Sequence, residues 1–177
     1  MTGNEINLAQ MLARREKRAC EQKNFLERYN SPLVSFTLNI PGPVKTNEAI
    51  RRVFETGKIL IFESLEAVGA VINDSSELHE DTGDELLLSV SGSSPETLKE
   101  IAVKIENENK FGRLFDIDVI DADGKKLSRG EFRKCLICGK QAQECARSRA
   151  HSVEEMQQAV ERLLVTASRT ENISASA

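Results

Sequence analysis

Leu33-Val-Ser-Phe-Thr-Leu-Asn-Ile-Pro-Gly-Pro43 is the segment from which the fold can be worked out. Its first eight residues are apolar and partly alternating, which is typical of a β-strand, and the Pro-Gly-Pro sequence forces the chain into a loop. Strand patterns recur at Glu85–Ser91 and Arg113–Ile120. Between them, Ser94-Pro95 marks the start of a helix that is predicted to extend to about Asn107. These segments predict strands interleaved with helices.

The remaining segments extend this pattern in both directions. A long N-terminal helix is predicted to have an apolar face made of Leu8, Met11, Leu12, Ala19, Leu26 and Tyr29. Asn47 can cap a second helix that Gly57 would end. Two strands and a mobile acidic loop are predicted to follow, at Lys58–Glu63, Ala67–Ile72 and Asn73–Gly83. The order of elements predicts an α+β fold with a mixed or antiparallel sheet and flanking helices.

The composition is that of one globular domain. A chain of 177 residues, 40% hydrophobic and 29% charged, can bury a core without disulfides. We expect residues 1–165 to form this domain and the small, polar segment 166–177 to be disordered. No apolar run approaches the roughly 20 residues of a membrane helix, and the polar start of the chain is unlike a secretory signal. The sequence thus predicts a cytoplasmic protein outside the membrane, whose four cysteines are thiols or metal ligands.

The segment 133–152 concentrates three of the four cysteines, several cations and a histidine. Cys135, Cys138, Cys145 and His151 are ligand types that Zn²⁺ accepts, and they open with a C-x2-C spacing. The last two are single residues rather than a second close pair, which weakens the zinc pattern. Buried packing of the cysteines, with His151 contacting phosphate, is an equally good interpretation.

Several cations are candidate phosphate ligands. Ser152 and Glu155 form an S-x-x-E capping box, so a helix begins there and its N–H groups point toward the space of Arg147 and Arg149. The full candidate set is Lys45, Arg113, Arg129, Arg133, Arg147 and Arg149. His151 is also a candidate general base or a hydrogen-bond donor to phosphate.

Asp116-Ile117-Asp118 lies in the predicted strand 113–120. Because side chains alternate across a strand, both carboxylates lie on one face and Ile117 lies on the other. Two hard oxygen ligands at this spacing suit Mg²⁺, with Glu85 as a guess for a third. From the residues alone, a water-facing pair of aspartates is the commoner explanation of such a segment.

Three blocks of the chain, taken in order, resemble the citrate lyase holo-acyl-carrier-protein synthases, the CitX family. The blocks are Pro32–Lys45, Gly112–Val119 and the Arg-x-Cys-Leu-x-Cys segment with its trailing Cys-x-Arg-Ser-Arg-x-His-Ser. Three blocks in the same order are far more specific than one short motif. The resemblance covers roughly residues 8–165.

The resemblance implies a nucleotidyltransferase-like enzyme that uses triphosphoribosyl-dephospho-CoA as its substrate. It would transfer phosphoribosyl-dephospho-CoA to a serine of the apo acyl-carrier (gamma) subunit of citrate lyase and release diphosphate. Asp116 and Asp118 would then be catalytic and hold Mg²⁺, and Arg113 and Arg129 would contact phosphates. Zinc, if present, would be structural.

The sequence leaves two alternatives open. One is a non-enzymatic, zinc-stapled module that binds RNA or protein, and the other is the same transfer to the carrier of malonate decarboxylase. One Tyr and seven Phe leave few rings for base stacking, and ten acidic residues between Asn73 and Glu108 would repel a phosphate backbone. We therefore expect no nucleic-acid partner.

Overall fold

The computed structural model describes the backbone of residues 1–174 and the side chains of residues 1–165. The described elements are α1 (Leu8–Tyr29), β1 (Leu33–Leu38), α2 (Glu48–Ala67), β2 (Val71–Glu80), β3 (Gly83–Ser91), α3 (Pro95–Glu108), β4 (Phe115–Ile120), α4 (Ala142–Ser148) and α5 (Val153–Ser174). The strands form one antiparallel sheet in the order β2-β3-β1-β4. The predicted α+β class is confirmed, with an antiparallel sheet.

Two parts of the architecture prediction are not decided by this topology. The likeness to nucleotidyltransferases stays a prediction. So does the division into a domain of residues 1–165 and a disordered segment 166–177, since residues 175–177 and all side chains from 166 onward lie outside the described residues.

Alternation along the strands gives the sheet two different faces. The main core lies on one face, where Phe36 of β1 stacks on Phe54 of α2 with 4.9 Å between ring centroids. Side chains of α2, α3 and α5 complete this core. On the other face, a small apolar cluster lies under α1 and consists of Leu33, Leu87 and Ile120 with Phe25 and Leu26.

Beyond that cluster, α1 contacts the sheet through polar and charged side chains. Arg14 Nη2 lies 2.7 Å from Glu85 Oε2, and Arg18 Nη1 lies 3.1 Å from the other oxygen of the same carboxylate. Gln22 donates a hydrogen bond of 3.1 Å to the Ser35 hydroxyl. The face of the sheet below α1 is therefore hydrophilic over much of its length.

The predicted apolar face of α1 is wrong in its first half. Leu8 and Leu12 are 73% and 47% exposed, whereas Arg14 is buried. The helix begins where predicted, but its orientation about its own axis directs Arg14 and Arg18 toward Glu85. A buried carboxylate needs paired cations, and this requirement outweighs the burial of two leucines.

Gly57 lies within α2 and does not end it, so the predicted helix end is wrong. A Cβ atom at this position would lie 2.4 Å from Phe36 Cζ, so the glycine allows the ring to approach the helix backbone. The predicted strand at Lys58–Glu63 is consequently part of α2. The predicted strand at Ala67–Ile72 begins only at Val71. Short apolar runs fit helix and strand equally well, which explains both errors.

The segment Asn73–Gly83, predicted as a mobile loop, is mostly the edge strand β2, and this prediction is also wrong. It pairs with β3 from Val71 to Glu80, with a register shift between Ile72 and Asp74. Its acidic side chains can face solvent because an edge strand covers little of the core. Pairing with the apolar strand β3 supplies the backbone hydrogen bonds.

Candidate functional site

Asp116 and Asp118 lie on the same face of β4, as predicted, and Ile117 is buried on the opposite face. In the antiparallel pairing with β1, they lie across from Thr37 and Ser35. Both carboxylates are partly exposed. Because β4 is at the end of the sheet, the site has one open side.

Charged side chains cover the open edge of β4. The Ile117 N–H donates to a Glu106 carboxylate oxygen at 2.9 Å, and Lys99 Nζ donates to the Ile117 carbonyl at 3.2 Å. Arg133 donates to the carbonyl of Phe115. These contacts satisfy edge groups that another strand would otherwise pair with. They also concentrate cations beside the two aspartates.

Glu106 of α3 holds two of the predicted phosphate ligands. It is 5% exposed and forms ion pairs with Arg129 and, at 3.7 Å, with Arg133 Nη2. Arg133 Nη1 also lies 3.1 Å from Asp116 Oδ1. Burial raises the pKa of the Glu106 carboxyl, whereas Arg133, the Ile117 N–H, Arg129 and Lys99 act in the opposite direction. The guanidinium groups are thus held in place before any ligand arrives.

Charges of both signs line this edge. The cavity that follows it is lined by the cations Lys99, Lys126, Arg129 and Arg133 and by the carboxylates Glu106, Asp116, Asp118 and Glu131, and Arg113 lies close to Arg129, Arg133 and Glu106. Burial lowers the pKa of Lys99, and burial together with the neighbouring arginines lowers the pKa of Arg113. Among the described side chains, Arg113 has no ion-pair or hydrogen-bond partner. Four cations along one cavity can contact an anion that carries several charges.

Two cavities meet at Asp116. One, of about 390 Å³, follows the edge of β4 and is lined by both aspartates together with Lys99, Lys126, Arg129 and Arg133. The other, of about 110 Å³, lies between α1 and the ends of the strands. A further cavity of about 570 Å³, between α1 and the β2–β3 turn, contains none of the predicted site residues.

Lys45 lines the cavity on the α1 side, together with Arg15 and Arg18. Its Nζ donates to the Ile40 carbonyl at 2.6 Å across the Pro-Gly-Pro loop, and burial, then the charge of Arg15, lowers its pKa. The sequence prediction missed both arginines of α1. The Arg15–Arg18 spacing of three residues was the available signal, since it places two cations on one helix face.

Glu85, the guess for a third metal carboxylate, is also on this side of the sheet. Its two oxygens are taken by Arg14 and Arg18, as described above. The geometry therefore gives Glu85 a role in holding α1 on the sheet. The identity of a third carboxylate stays open.

The structure brings the four cysteine and histidine ligands together. Their Sγ and imidazole nitrogen atoms all lie within 4.8 Å of one another. Cys138 Sγ is 3.4 Å from Cys145 Sγ and 3.3 Å from His151 Nε2. The contact with His151 lowers the pKa of Cys138 to about 6, and the contact with Cys138 raises the pKa of Cys145 to about 11.

His151 lies in this cluster and does not line either cavity at Asp116. It shares a separate cavity of about 260 Å³ with Arg113, Cys135 and Cys145. The structure therefore does not bring His151 to the aspartates, and its role as general base stays a prediction.

Arg147 and Arg149 are exposed near the start of α5. Arg147 lies in α4, a helix that the sequence did not predict, and Arg149 follows it with a left-handed φ of 49°. The capping box is confirmed, since the Ser152 hydroxyl accepts the Glu155 N–H at 3.1 Å and the Glu155 carboxylate accepts the Ser152 N–H at 2.8 Å. Phosphate binding by the two arginines stays a prediction.

A family model named CitX, apo-citrate lyase phosphoribosyl-dephospho-CoA transferase, matches residues 6–167. The chain belongs to this family. A Vibrio cholerae protein named "Probable apo-citrate lyase phosphoribosyl-dephospho-CoA transferase" is 41% identical over 162 residues, covering 89% of this chain and 91% of the relative. A Citrobacter koseri protein named as this transferase is 33% identical over 167 residues, covering 92% and 91%. A similarly named Escherichia coli protein is 33% identical over 163 residues, covering 90% and 88%.

These findings confirm the resemblance that the three sequence blocks indicated. The matched region contains every residue of the candidate site, from Lys45 to His151. The relatives are named as transferases, in keeping with an enzyme. In the part of the chain that the structure describes, no helix is long and apolar enough to cross a membrane.

Proposed function

We propose that this protein transfers phosphoribosyl-dephospho-CoA from its triphosphate precursor to a serine of the apo acyl-carrier subunit of citrate lyase. The names of the relatives support the transferred group and the acceptor. The observation that carries the proposal is the pair Asp116 and Asp118 beside the cation-rich edge of β4. Several cations close to two adjacent carboxylates suit a triphosphate with bound metal.

The chemistry would be a nucleotidyl-type displacement. The serine oxygen of the carrier forms a bond to the first phosphorus of the triphosphate, the one attached to the ribose. The bond from this phosphorus to the oxygen that bridges it to the second phosphorus breaks. Diphosphate leaves with this oxygen, and the serine proton passes to a base. Such reactions depend on positioning and on stabilising the charge of the leaving group, with no covalent enzyme intermediate required.

Asp116 and Asp118 fit Mg²⁺ in this proposal. Both are hard oxygen donors on one face, and their partners are the charged ends of long side chains, Arg133 at 3.1 Å and Lys126 at 2.5 Å. When bound, the metal would neutralise part of the charge on the phosphates and on the leaving diphosphate.

Arg133 and Lys126 have two roles in this proposal. In the ligand-free protein they balance the charges of Asp116 and Asp118. With Asp116 and Asp118 holding the metal, Arg133, which Glu106 and the Phe115 carbonyl keep beside the site, would contact the phosphates together with Lys126, Arg129 and Arg113. Arginine presents a planar fork that matches phosphate oxygens.

The test is the intact mass of the carrier after incubation with this protein, Mg²⁺ and the triphosphate precursor. We expect the carrier to gain the mass of one phosphoribosyl-dephospho-CoA group, with one diphosphate released. A carrier with alanine at the acceptor serine is the control and should remain unmodified. Apo-carrier from malonate decarboxylase, assayed in parallel, measures acceptor specificity. An unmodified citrate lyase carrier under these conditions would show that the proposal is wrong.

A further inference from the structure

The chain segment 128–152 has almost no hydrophobic core of its own. Between residues 121 and 152, Cys135 is the single buried residue, and α4 contains none. A helix of seven residues is not stable by itself in water, because its few hydrogen bonds do not offset the cost of nucleation. Arg129 and Arg133 tie the start of this segment to Glu106 and β4, and something other than apolar burial must therefore hold the remainder.

We propose that Cys135, Cys138, Cys145 and His151 bind one structural Zn²⁺ that holds this segment. Their four ligand atoms lie within 4.8 Å of one another, and two of the separations are 3.3 and 3.4 Å. Tetrahedral Zn²⁺, with bonds of about 2.3 Å to sulfur and about 2.0 Å to nitrogen, requires ligand atoms roughly 3.5–3.8 Å apart. The four atoms need only small movements to reach these separations.

The backbone around the first two cysteines forms a tight turn directed at the sulfur atoms. The Ile137 N–H points at Cys135 Sγ with an N–S distance of 3.5 Å. The turn is closed by hydrogen bonds from the Cys135 N–H to the Lys140 carbonyl and from the Gly139 N–H to the Cys135 carbonyl. Gly139 has a φ of 72°, which suits glycine. N–H groups directed at sulfur favour the thiolate form that binds metal.

A disulfide within this cluster fits its geometry less well, and a second compact group of possible metal ligands elsewhere is a weaker candidate. A disulfide requires about 2.05 Å between sulfur atoms, whereas Cys138 and Cys145 are 3.4 Å apart and two further ligand types would be left over. A second described group, Glu55, Glu77 and His79, is also compact. There, Lys58 Nζ lies 2.7 Å from each carboxylate and already supplies the positive charge.

The zinc would affect the transfer site only by fixing the positions of residues next to its ligands. Arg133, which contacts Asp116 and the Phe115 carbonyl, lies two residues before Cys135. His151 directly precedes Ser152, the cap of α5. One ion would therefore fix both the cation at the edge of β4 and the start of the last helix.

Metal analysis of the full-length protein, purified without a metal-affinity tag, tests this proposal. We expect one zinc per chain by mass spectrometry, and four thiols by titration after unfolding in the presence of a chelator. Cys138→Ser should lose the zinc and melt at a lower temperature. Cys20→Ser is the matched control, since Cys20 is an exposed free cysteine on α1 outside the cluster, and it should keep both properties. If Cys138→Ser does not fold, cobalt substitution of the wild-type chain still tests the site, with absorption bands typical of tetrahedral sulfur-rich coordination expected.

Protein that contains no zinc, takes up no cobalt and melts identically with and without a chelator would overturn the proposal. So would a titration that finds two thiols missing from protein unfolded without reductant, since that result indicates a disulfide. None of these measurements uses the transfer reaction. Failure of the zinc proposal is therefore distinguishable from failure of the proposed activity.

Discussion

Replacement of Glu106 with glutamine should release the cations at the edge of β4 without disturbing the strand. Glu106 accepts the Ile117 N–H at 2.9 Å, and its carboxylate pairs with Arg129 and Arg133. Glutamine retains an acceptor oxygen for Ile117 but carries no charge. The backbone hydrogen bond should therefore survive while the two arginines lose their counter-charge.

The expected cost follows from the burial of the partners. Removing one member of a buried ion pair costs about 3–5 kcal/mol, because it leaves an uncompensated charge. Glu106 is 5% exposed and the Arg129 side chain 13%, but Arg133 keeps Asp116 as a second partner. We therefore expect the lower end, about 3 kcal/mol of unfolding free energy, or roughly 6–12 °C in Tm for a chain of this size.

A second substitution separates charge from hydrogen bonding. Glu106→Leu also removes the acceptor of the Ile117 N–H, and an unsatisfied buried donor adds about 1–3 kcal/mol. Equilibrium unfolding in urea should rank the variants as wild type, then Glu106→Gln, then Glu106→Leu. Glu108→Gln is the matched control, since Glu108 is exposed on the same helix, and it should behave as wild type.

The transfer assay supplies a second readout for Glu106→Gln. Arg133 should be less well fixed beside Asp116, so kcat/KM should fall even at temperatures where the variant is folded. A Glu106→Gln protein as stable as the Glu108→Gln control, within about 0.5 kcal/mol, would refute the reasoning. That outcome would mean that the charge of Glu106 contributes little to holding the two arginines.

Three further predictions concern the aspartates, the exposed arginines and the core. Asp116→Asn and Asp118→Asn should each abolish transfer but leave the melting temperature close to wild type, and wild-type turnover of either across a Mg²⁺ titration would contradict the metal assignment. Arg147→Ala and Arg149→Ala should each cost about 1.5–3 kcal/mol in transition-state binding, hence roughly tenfold or more in kcat/KM, with partial rescue by Lys. Normal precursor binding with loss of carrier binding would show instead that they form a docking surface. Gly57→Ala should lower stability by about 1–2 kcal/mol in urea unfolding, because overpacking against the β1 phenylalanine ring at 2.4 Å exceeds the gain of about 1 kcal/mol in helix propensity. An unchanged or increased stability would show that the ring can move aside.

Features that depend on neighbouring residues in the chain could be predicted from the sequence. The Ser94 cap of α3 and the capping box of Ser152 and Glu155 are such features, and both are present. The placement of Asp116 and Asp118 on one face follows from strand alternation alone. Family membership likewise rests on ordered blocks of sequence.

Features that depend on which elements become neighbours were mispredicted. Gly57 resembles a helix end, but it lies inside α2 because a ring from β1 packs against it. The acidic segment 73–83 has no apolar period, yet it becomes strand β2 because β3 offers it backbone partners. Propensity is a weak prior at such positions, and tertiary contacts override it.

The candidate site shows the same division between local pattern and assembly. The sequence by itself determined the two aspartates, the cysteine spacing and the supply of cations, since each is a local pattern. Only the tertiary structure decided that Glu106 from α3 holds Arg129 and Arg133 at the edge of β4, and that α1 turns its arginines toward Glu85. A charged side chain pairs with whatever carboxylate the packing of the core brings within a few ångströms, and no local periodicity specifies that partner.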